Sequence, residues 1–261
     1  MPQACALIEF ERVSVRRGST LALDDISLRI GSGEHVAIIG PNGCGKSTLI
    51  KAITRECYPL AREGSRLTIL GRDRWNVFEL RTLLGIVSND LMAFCTRDVT
   101  GMDLTLSGFF SSIGIWPHQQ ATREMRERAE RVLAHLEVSH LAERFTEEMS
   151  SGEARRVLLA RALVHEPRAL ILDEPSTALD LFAQRELRQI LRKLAQSGVG
   201  IVMVTHHLSD LIPEIERVIL MQQGRIAADG ARREILTAER LSGLFGLPVN
   251  LAEQDGYYHL W

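Results

Sequence analysis

The stretch His35-Val36-Ala37-Ile38-Ile39-Gly40-Pro41-Asn42-Gly43-Cys44-Gly45-Lys46-Ser47-Thr48-Leu49-Ile50 decides the fold. It opens with a continuous apolar run, the pattern of a strand buried on both faces. Gly40 to Thr48 then fit the spacing GxxxxGK[ST], and Thr48, Leu49, Ile50, Ala52 and Ile53 continue as a helix. Gly40, Pro41, Asn42, Gly43, Cys44, Gly45, Lys46, Ser47 and Thr48 are therefore the expected phosphate-binding residues. Glycines let backbone N–H groups curl around phosphates with no Cβ in the way, and the helix that follows turns its positive end toward them. Lys46 is expected to reach the β and γ phosphates and the Ser47 hydroxyl to bind magnesium. The competing account is a glycine-rich turn that merely joins strand to helix. The buried strand before the loop and the helix after it favour phosphate binding. Alone, the loop marks only a nucleotide binder, since kinases, GTPases and ATP synthases carry it too.

On the N-terminal side, Leu7 to Val15 is rich in β-formers, and Ala22 to Ile30 alternates through Leu23, Ile26, Leu28 and Ile30. The two predict an antiparallel edge layer. On the C-terminal side the period changes from Gly101 to Glu137. Met125, Ala129, Val132, Leu133 and Leu136 recur at helical spacing, with Arg123, Glu124, Arg126, Glu127, Arg128 and Glu130 on the other face. Strand runs return at Ala169 to Leu172, Gly200 to Val204 and Val218 to Met221, with helices between them. The prediction is an α/β fold: a phosphate-loop NTPase with a largely parallel central sheet, an N-terminal antiparallel β layer and an inserted helical subdomain. Residues 7–100 and 165–245 form the expected core, 101–164 the helical subdomain, and 246–261 a tail whose Tyr257, Tyr258 and Trp261 suit a terminal strand.

The bulk numbers exclude several classes. With 261 residues the chain has ample core, and 45% hydrophobic and 25% charged residues are globular values. A net charge of −2 and the lack of a dense Lys/Arg run argue against a nucleic-acid partner. No apolar stretch is long enough to span a bilayer and no signal peptide is recognisable at the start, so the chain is expected in the cytosol. Cys5, Cys44, Cys57 and Cys95 show no CxxC pairing and read as reduced thiols; Cys44, near a helix start, is the one whose pKa that position can lower.

Further motifs narrow the class. Arg168 to Pro175 is an apolar strand ending in Asp173 and Glu174. Asp173 is placed to hold the magnesium hydration shell, and Glu174 to polarise an attacking water as general base. Upstream, Met149-Ser150-Ser151-Gly152-Glu153 precedes a helix from Ala154 to Val164. It resembles the LSGGQ signature of the ATP-binding cassette family. Ser176-Thr177-Ala178-Leu179-Asp180 resembles that family's D-loop, and Val204-Thr205-His206 its switch histidine. The likeness runs from about Leu7 to Gly230 in the family's order. A local account of the signature exists as well, because Ser150 with Glu153 three residues on is a capping box. The resemblance adds a second role: the helix start, through Ser150, Ser151, Gly152 and Glu153, completes the site on the γ-phosphate of ATP held by a second cassette, with Asp180 beside it. It implies a Mg²⁺-dependent ATPase with catalytic Lys46, Glu174 and His206. It further implies a homodimer of cassettes and separate transmembrane permease subunits, which hold the chain peripherally on the cytoplasmic face of the inner membrane.

The sequence departs from the family pattern at three places. The loop after Leu84 to Val87 has Ser88-Asn89-Asp90 where a magnesium-binding glutamine usually stands, and Asn89 offers the same amide oxygen on a shorter arm. Arg16 and Arg17 stand where an aromatic residue usually stacks on adenine, and Arg17 is the candidate to take that role. Ser151 and Glu153 replace glycine and glutamine in the signature. Together with Leu106 to Gly114 and Thr205 to Leu208, these features resemble a bacterial subgroup similar to molybdate-transport ATPases. Leu106, Phe109, Phe110, Ile113, Ile115 and Trp116 serve either as subdomain core or as a groove for a permease helix. The alternative function is a soluble cassette ATPase that remodels a protein or nucleic-acid complex. A monomeric phosphate-loop kinase does not account for the signature and D-loop.

Overall fold

The computed structural model describes residues 6–94 and 98–261, so Cys5 and Cys95 lie outside the described residues. The chain divides into two compact units, Met1–Val77 with Gly200–Trp261, and Phe78–Val199. In the first, β1 (Ala6–Arg17) and β2 (Thr20–Gly31) pair antiparallel, with Arg17 opposite Thr20 at the hairpin end. Their alternating apolar residues are buried, Leu23, Ile26 and Ile30 completely. β3 (His35–Ile39) is apolar on both faces and leads into α1 (Lys46–Ile53). Val36 to Ile39 are wholly buried, each side chain contributing about 1.5–3 kcal/mol relative to exposure. β4 (Arg66–Ile69), a strand the sequence pattern did not single out, extends the antiparallel layer in the order β2-β1-β4.

The second unit begins with α2 (Val77–Leu83), β5 (Leu84–Val87) and α3 (Asn89–Phe94). The helical expectation for Gly101 to Glu137 is met in two pieces, α4 (Gly101–Leu106) and α5 (Arg123–His135), each with a threonine N-cap. A 3-10 turn and irregular chain separate them, because Ser111 takes a positive φ of 54° and Gly114 one of 73° ahead of Pro117. α5 buries Ala129 and Leu133 as its periodicity predicts. α6 (Ser151–Leu163) is buried nearly all round and carries the signature at its start. It leads to β6 (Ala169–Asp173), which pairs parallel with β5, and then to α7 (Leu181–Gln196).

The chain returns to the first unit at β7 (Gly200–Thr205), followed by β8 (Arg217–Gln222) and β9 (Arg225–Ala231). Here the order is β7-β3-β8-β9, with β3 parallel to both neighbours and β9 antiparallel to β8 through the Gln223-Gly224 turn. The phosphate loop thus leaves the C-terminal end of a central parallel strand, where ligands bind in open α/β sheets. α8 (Arg232–Ile235) and α9 (Ala238–Phe245) precede a hairpin of β10 (Leu251–Gln254) and β11 (Tyr257–Leu260), so the tail supplies two strands. Tyr258 is buried there beneath the guanidinium of Arg232.

Candidate functional site

The loop Gly40 to Thr48 is built around its own lysine. Lys46, the first residue of α1, is buried, and its Nζ donates to the carbonyls of Gly40 at 2.7 Å and Pro41 at 3.0 Å. These two bonds close the loop into a ring. Gly45 caps α1 with φ 110° and contributes no side-chain acceptor, and the first turn holds no acidic residue. The N–H groups of a helix start therefore meet no capping side chain, which is the electrostatic requirement for an anion. Asn42, Gly43 and Ser47 are exposed on this turn, while Thr48 is buried in the core. Two glycines are sterically obligatory: a Cβ on Gly40 would lie 2.3 Å from the Met221 carbonyl oxygen, and one on Gly45 2.5 Å from that of Ala22.

Cys44 corrects an expectation. It is buried, with its carbonyl accepting from Gly224 N–H at 2.9 Å. Burial pushes its thiol up from the ordinary range and outweighs the opposing pull of Lys46 and of the helix-start N–H groups. Arg17 is exposed at the β1–β2 hairpin end, beside exposed Arg16.

In the same unit, β7 ends in buried Thr205, whose hydroxyl donates to the carboxylate of Asp210 and accepts from His207 N–H at 3.0 Å. His206 is half-buried between them, its ring 3.8 Å from that of His207. Asp210, only 3% exposed, was not singled out in the sequence, yet it shapes the turn that presents His206. The signal was an acid four residues after a histidine at the end of an apolar strand.

In the second unit, β6 delivers Asp173 and Glu174, both half-buried. Glu174 sits at φ 48°, a region a β-carbon disfavours, followed by buried Pro175. Backbone strain of this kind, about 1–3 kcal/mol, persists where neighbours over-determine it. Thr177 supplies part of that constraint: its N–H donates to the Glu174 carbonyl at 3.3 Å and its hydroxyl lies 3.5 Å from Glu174 Oε2. Asp180 is the N-cap of α7, accepting from Ala183 N–H at 2.8 Å.

The signature forms the capping box its spacing predicts. Ser150 Oγ accepts from Glu153 N–H, and Glu153 Oε2 accepts from the Ser150 N–H and hydroxyl at 2.8 Å each. These bonds from Ser150, first its backbone N–H, hold the Glu153 carboxyl below its usual range despite partial burial, with help from Arg144 and Arg156. Ser151 is exposed, and Gly152 is required because a Cβ there would come within 2.8 Å of the Ala183 Cβ.

Asn89, the expected magnesium ligand of the loop after β5, has a protein partner. Its Oδ1 accepts from Nη2 of Arg155 at 2.9 Å, 66 residues away in sequence. Arg155 is 2% exposed and was missed, because nothing in the sequence separates it from the neighbouring Arg156, which stays half-buried. Among the described residues no group of three or more His, Cys, Asp or Glu side chains assembles that could hold a metal ion, and no helix is long and apolar enough to cross a membrane.

Comparison with known proteins agrees with this geometry. The ABC transporter family model matches residues 23–177, more than half of the chain. The hemin import ATP-binding protein HmuV of Aliivibrio fischeri is 33% identical over 92% of this chain and 90% of its own length. The sulfate/thiosulfate import ATP-binding protein CysA of Bordetella bronchiseptica is 37% identical over 96% of this chain and 69% of its own. Among solved structures, CbiO1 of Clostridium perfringens, part of the ABC transporter complex CbiONQ, superposes with a TM-score of 0.76 at 26% identity, covering 90% of this chain and 92% of its own. A dimeric ATP-binding cassette in a post-hydrolysis state, bound to ADP and Pi, superposes with a TM-score of 0.70 at 26% identity, covering 86% and 98%. A phosphate loop closed by its own lysine, in a chain that matches such cassettes almost end to end, places this protein in the ABC transporter family as one of its ATP-hydrolysing cassettes.

Proposed function

We propose that the chain is the ATPase subunit of an ABC importer: two copies close on ATP, and hydrolysis reopens them to drive separate membrane permease subunits. The observation that carries this reading is a pair of helix starts with opposite dress. α1 opens on glycine, with Lys46 and no side-chain cap, and suits the phosphates of its own nucleotide. α6 opens on Ser150 capped by Glu153, a box that fixes the helix start, and that start is assigned to the γ-phosphate held by a second copy. Glu174 activates the attacking water, His206 contacts the γ-phosphate, and Asp180 lines the junction between copies. Ser47 in the first unit and Asp173 in the second are each a hard oxygen donor of the kind magnesium takes, and each is a candidate ligand. A magnesium ion, when bound with ATP, would supply charge neutralisation on the β and γ phosphates. Arg17, exposed and planar, is the candidate to stack on the base.

The permease contact is assigned to the segment after α4. Phe109, Phe110, Ile113 and Ile115 are half-buried and Trp116 is 51% exposed, an apolar face of the kind an amphipathic helix seeks. HmuV, CysA and CbiO1 are named for import or for a transporter complex, and this supports the same setting here, at the cytoplasmic face of a membrane. The finer, molybdate-type reading rests on the departures at Asn89, Arg16, Arg17, Ser151 and Glu153 together with Leu106 to Gly114 and Thr205 to Leu208. The permease that copurifies from membranes decides cargo; a chain that copurifies only with soluble complexes has the remodelling function instead.

The direct test is concentration dependence. ATP turnover per chain should rise with protein concentration, and Glu174→Gln should keep ATP, lose turnover and elute as a dimer in Mg-ATP. Turnover per chain that stays constant on dilution to monomers refutes the shared site.

A further inference from the structure

Arg155 is among the largest fully buried side chains of the protein, 2% exposed near the start of the signature helix α6. A guanidinium out of water is tolerated only where partners hold it, so its partners state its role. Nη2 donates to Asn89 Oδ1 at 2.9 Å and lies 3.5 Å from the Thr177 carbonyl oxygen. Asn89 is the first residue of α3, directly after β5, and Thr177 belongs to the turn that constrains Glu174. One buried cation therefore touches the loop after β5, the signature helix and the Glu174 turn, all within residues 78–199.

The same contact bears on magnesium. The Asn89 oxygen is the only acceptor of its side chain, and a metal would need it. A dication on that oxygen would stand within about 5 Å of the Arg155 charge in a half-buried setting, where like charges repel strongly. We propose that Asn89 acts through Arg155 as a positioning residue: the part-buried Asn89–Arg155 hydrogen bond ties the loop after β5 to the signature helix and to the turn that holds Glu174, and Asn89 does not bind magnesium. The proposal rests on the ATPase reading above and deepens it. A displacement of the loop after β5, such as a docked permease would impose, passes through one hydrogen bond to both ends of the reaction site carried by this unit.

Two measurements on the full-length chain test this. Amide hydrogen exchange needs no nucleotide: Asn89→Ala should accelerate exchange at residues 151–158 and 176–180, well beyond its own turn. Exchange unchanged there overturns the coupling. The second is ATP turnover against magnesium concentration at saturating ATP. Asn89→Ala should lower turnover about tenfold while the magnesium concentration for half-activation stays within about twofold. Arg155→Met should match it, Arg155→Lys should lose less because it keeps one charged donor, and the double variant with Asn89→Ala should be no slower than the worse single, since both remove one interaction. A magnesium requirement raised about tenfold in Asn89→Ala, or losses that multiply in the double variant, overturns the proposal. Wild-type protein without turnover would instead refute the ATPase reading, and the exchange experiment would still decide whether the hydrogen bond couples these segments.

Discussion

Gly40 and Gly43 stand three residues apart in one motif, and the sequence assigns both the same reason, room for phosphate. Their surroundings separate them. A Cβ on Gly40 meets the Met221 backbone oxygen at 2.3 Å and the Cys44 sulfur at 2.6 Å, whereas one on Gly43 meets nothing within 4 Å and only carries the burden of φ 79°. Gly43→Ala should therefore cost the nucleotide-free protein about 1–2 kcal/mol, the penalty of a left-handed conformation. Gly40→Ala should cost about 3 kcal/mol or more, because a backbone carbonyl cannot swing aside. Urea unfolding of both variants measures the difference, and equal midpoints would contradict the steric argument. Cys44 shows the same limit of local reading. Its place at a helix start argues for a depressed thiol pKa, but burial dominates and raises it. Burial is set by packing from Gly40 and the strands around it, so no motif displays it.

At the scale of elements, α6 and its C-terminal end show how packing supplies chemistry that spacing does not. Ser150 and Glu153 cap the helix as their three-residue interval requires, a bond pattern contained within one turn. Two residues beyond the helix, His165 is held by tertiary contacts: its Nε2 lies 3.2 Å from the Gly108 carbonyl and its ring stands edge-on to Phe109 at 5.0 Å. Burial lowers its pKa, and the charges of Arg128 and Arg161 add to that, against the opposing effect of the Gly108 bond. A depressed imidazole pKa means that the unfolded chain takes up the proton more readily than the folded one. The stability this site supplies is thus complete above the ordinary histidine range near 6.5 and declines as pH falls through it toward the lowered folded value. Thermal unfolding between about pH 8 and about pH 5 should show an acid-side loss that shrinks in His165→Asn. An identical pH profile in the variant would remove His165 as its source.

At the scale of the whole molecule, the proposed mechanism makes each site from two chains, and this has a consequence no single variant reveals. Lys46→Ala spoils the phosphate loop but leaves the signature intact, and Ser150→Arg does the reverse. Either variant alone has two damaged sites in its homodimer and should be inactive. Mixed, a heterodimer pairs the sound phosphate loop of one chain with the sound signature of the other, so turnover should appear that neither protein has alone. Silence in the mixture, with both variants folded and dimerising, would refute a site shared in trans.

The amino-acid sequence by itself determined the strand, loop and helix around Lys46, the amphipathic face of α5, the capping box of α6, and the family. Each of these is written in intervals of a few residues, where hydrogen bonds and periodicity act locally. Only the tertiary structure decided that Asn89 is held by Arg155, that Gly152 is demanded by Ala183, that Asp210 shapes the turn beside His206, and that β4 and β9 complete their sheets. Those outcomes depend on burial and on partners brought together by folding, and neither quantity is defined until the chain has packed.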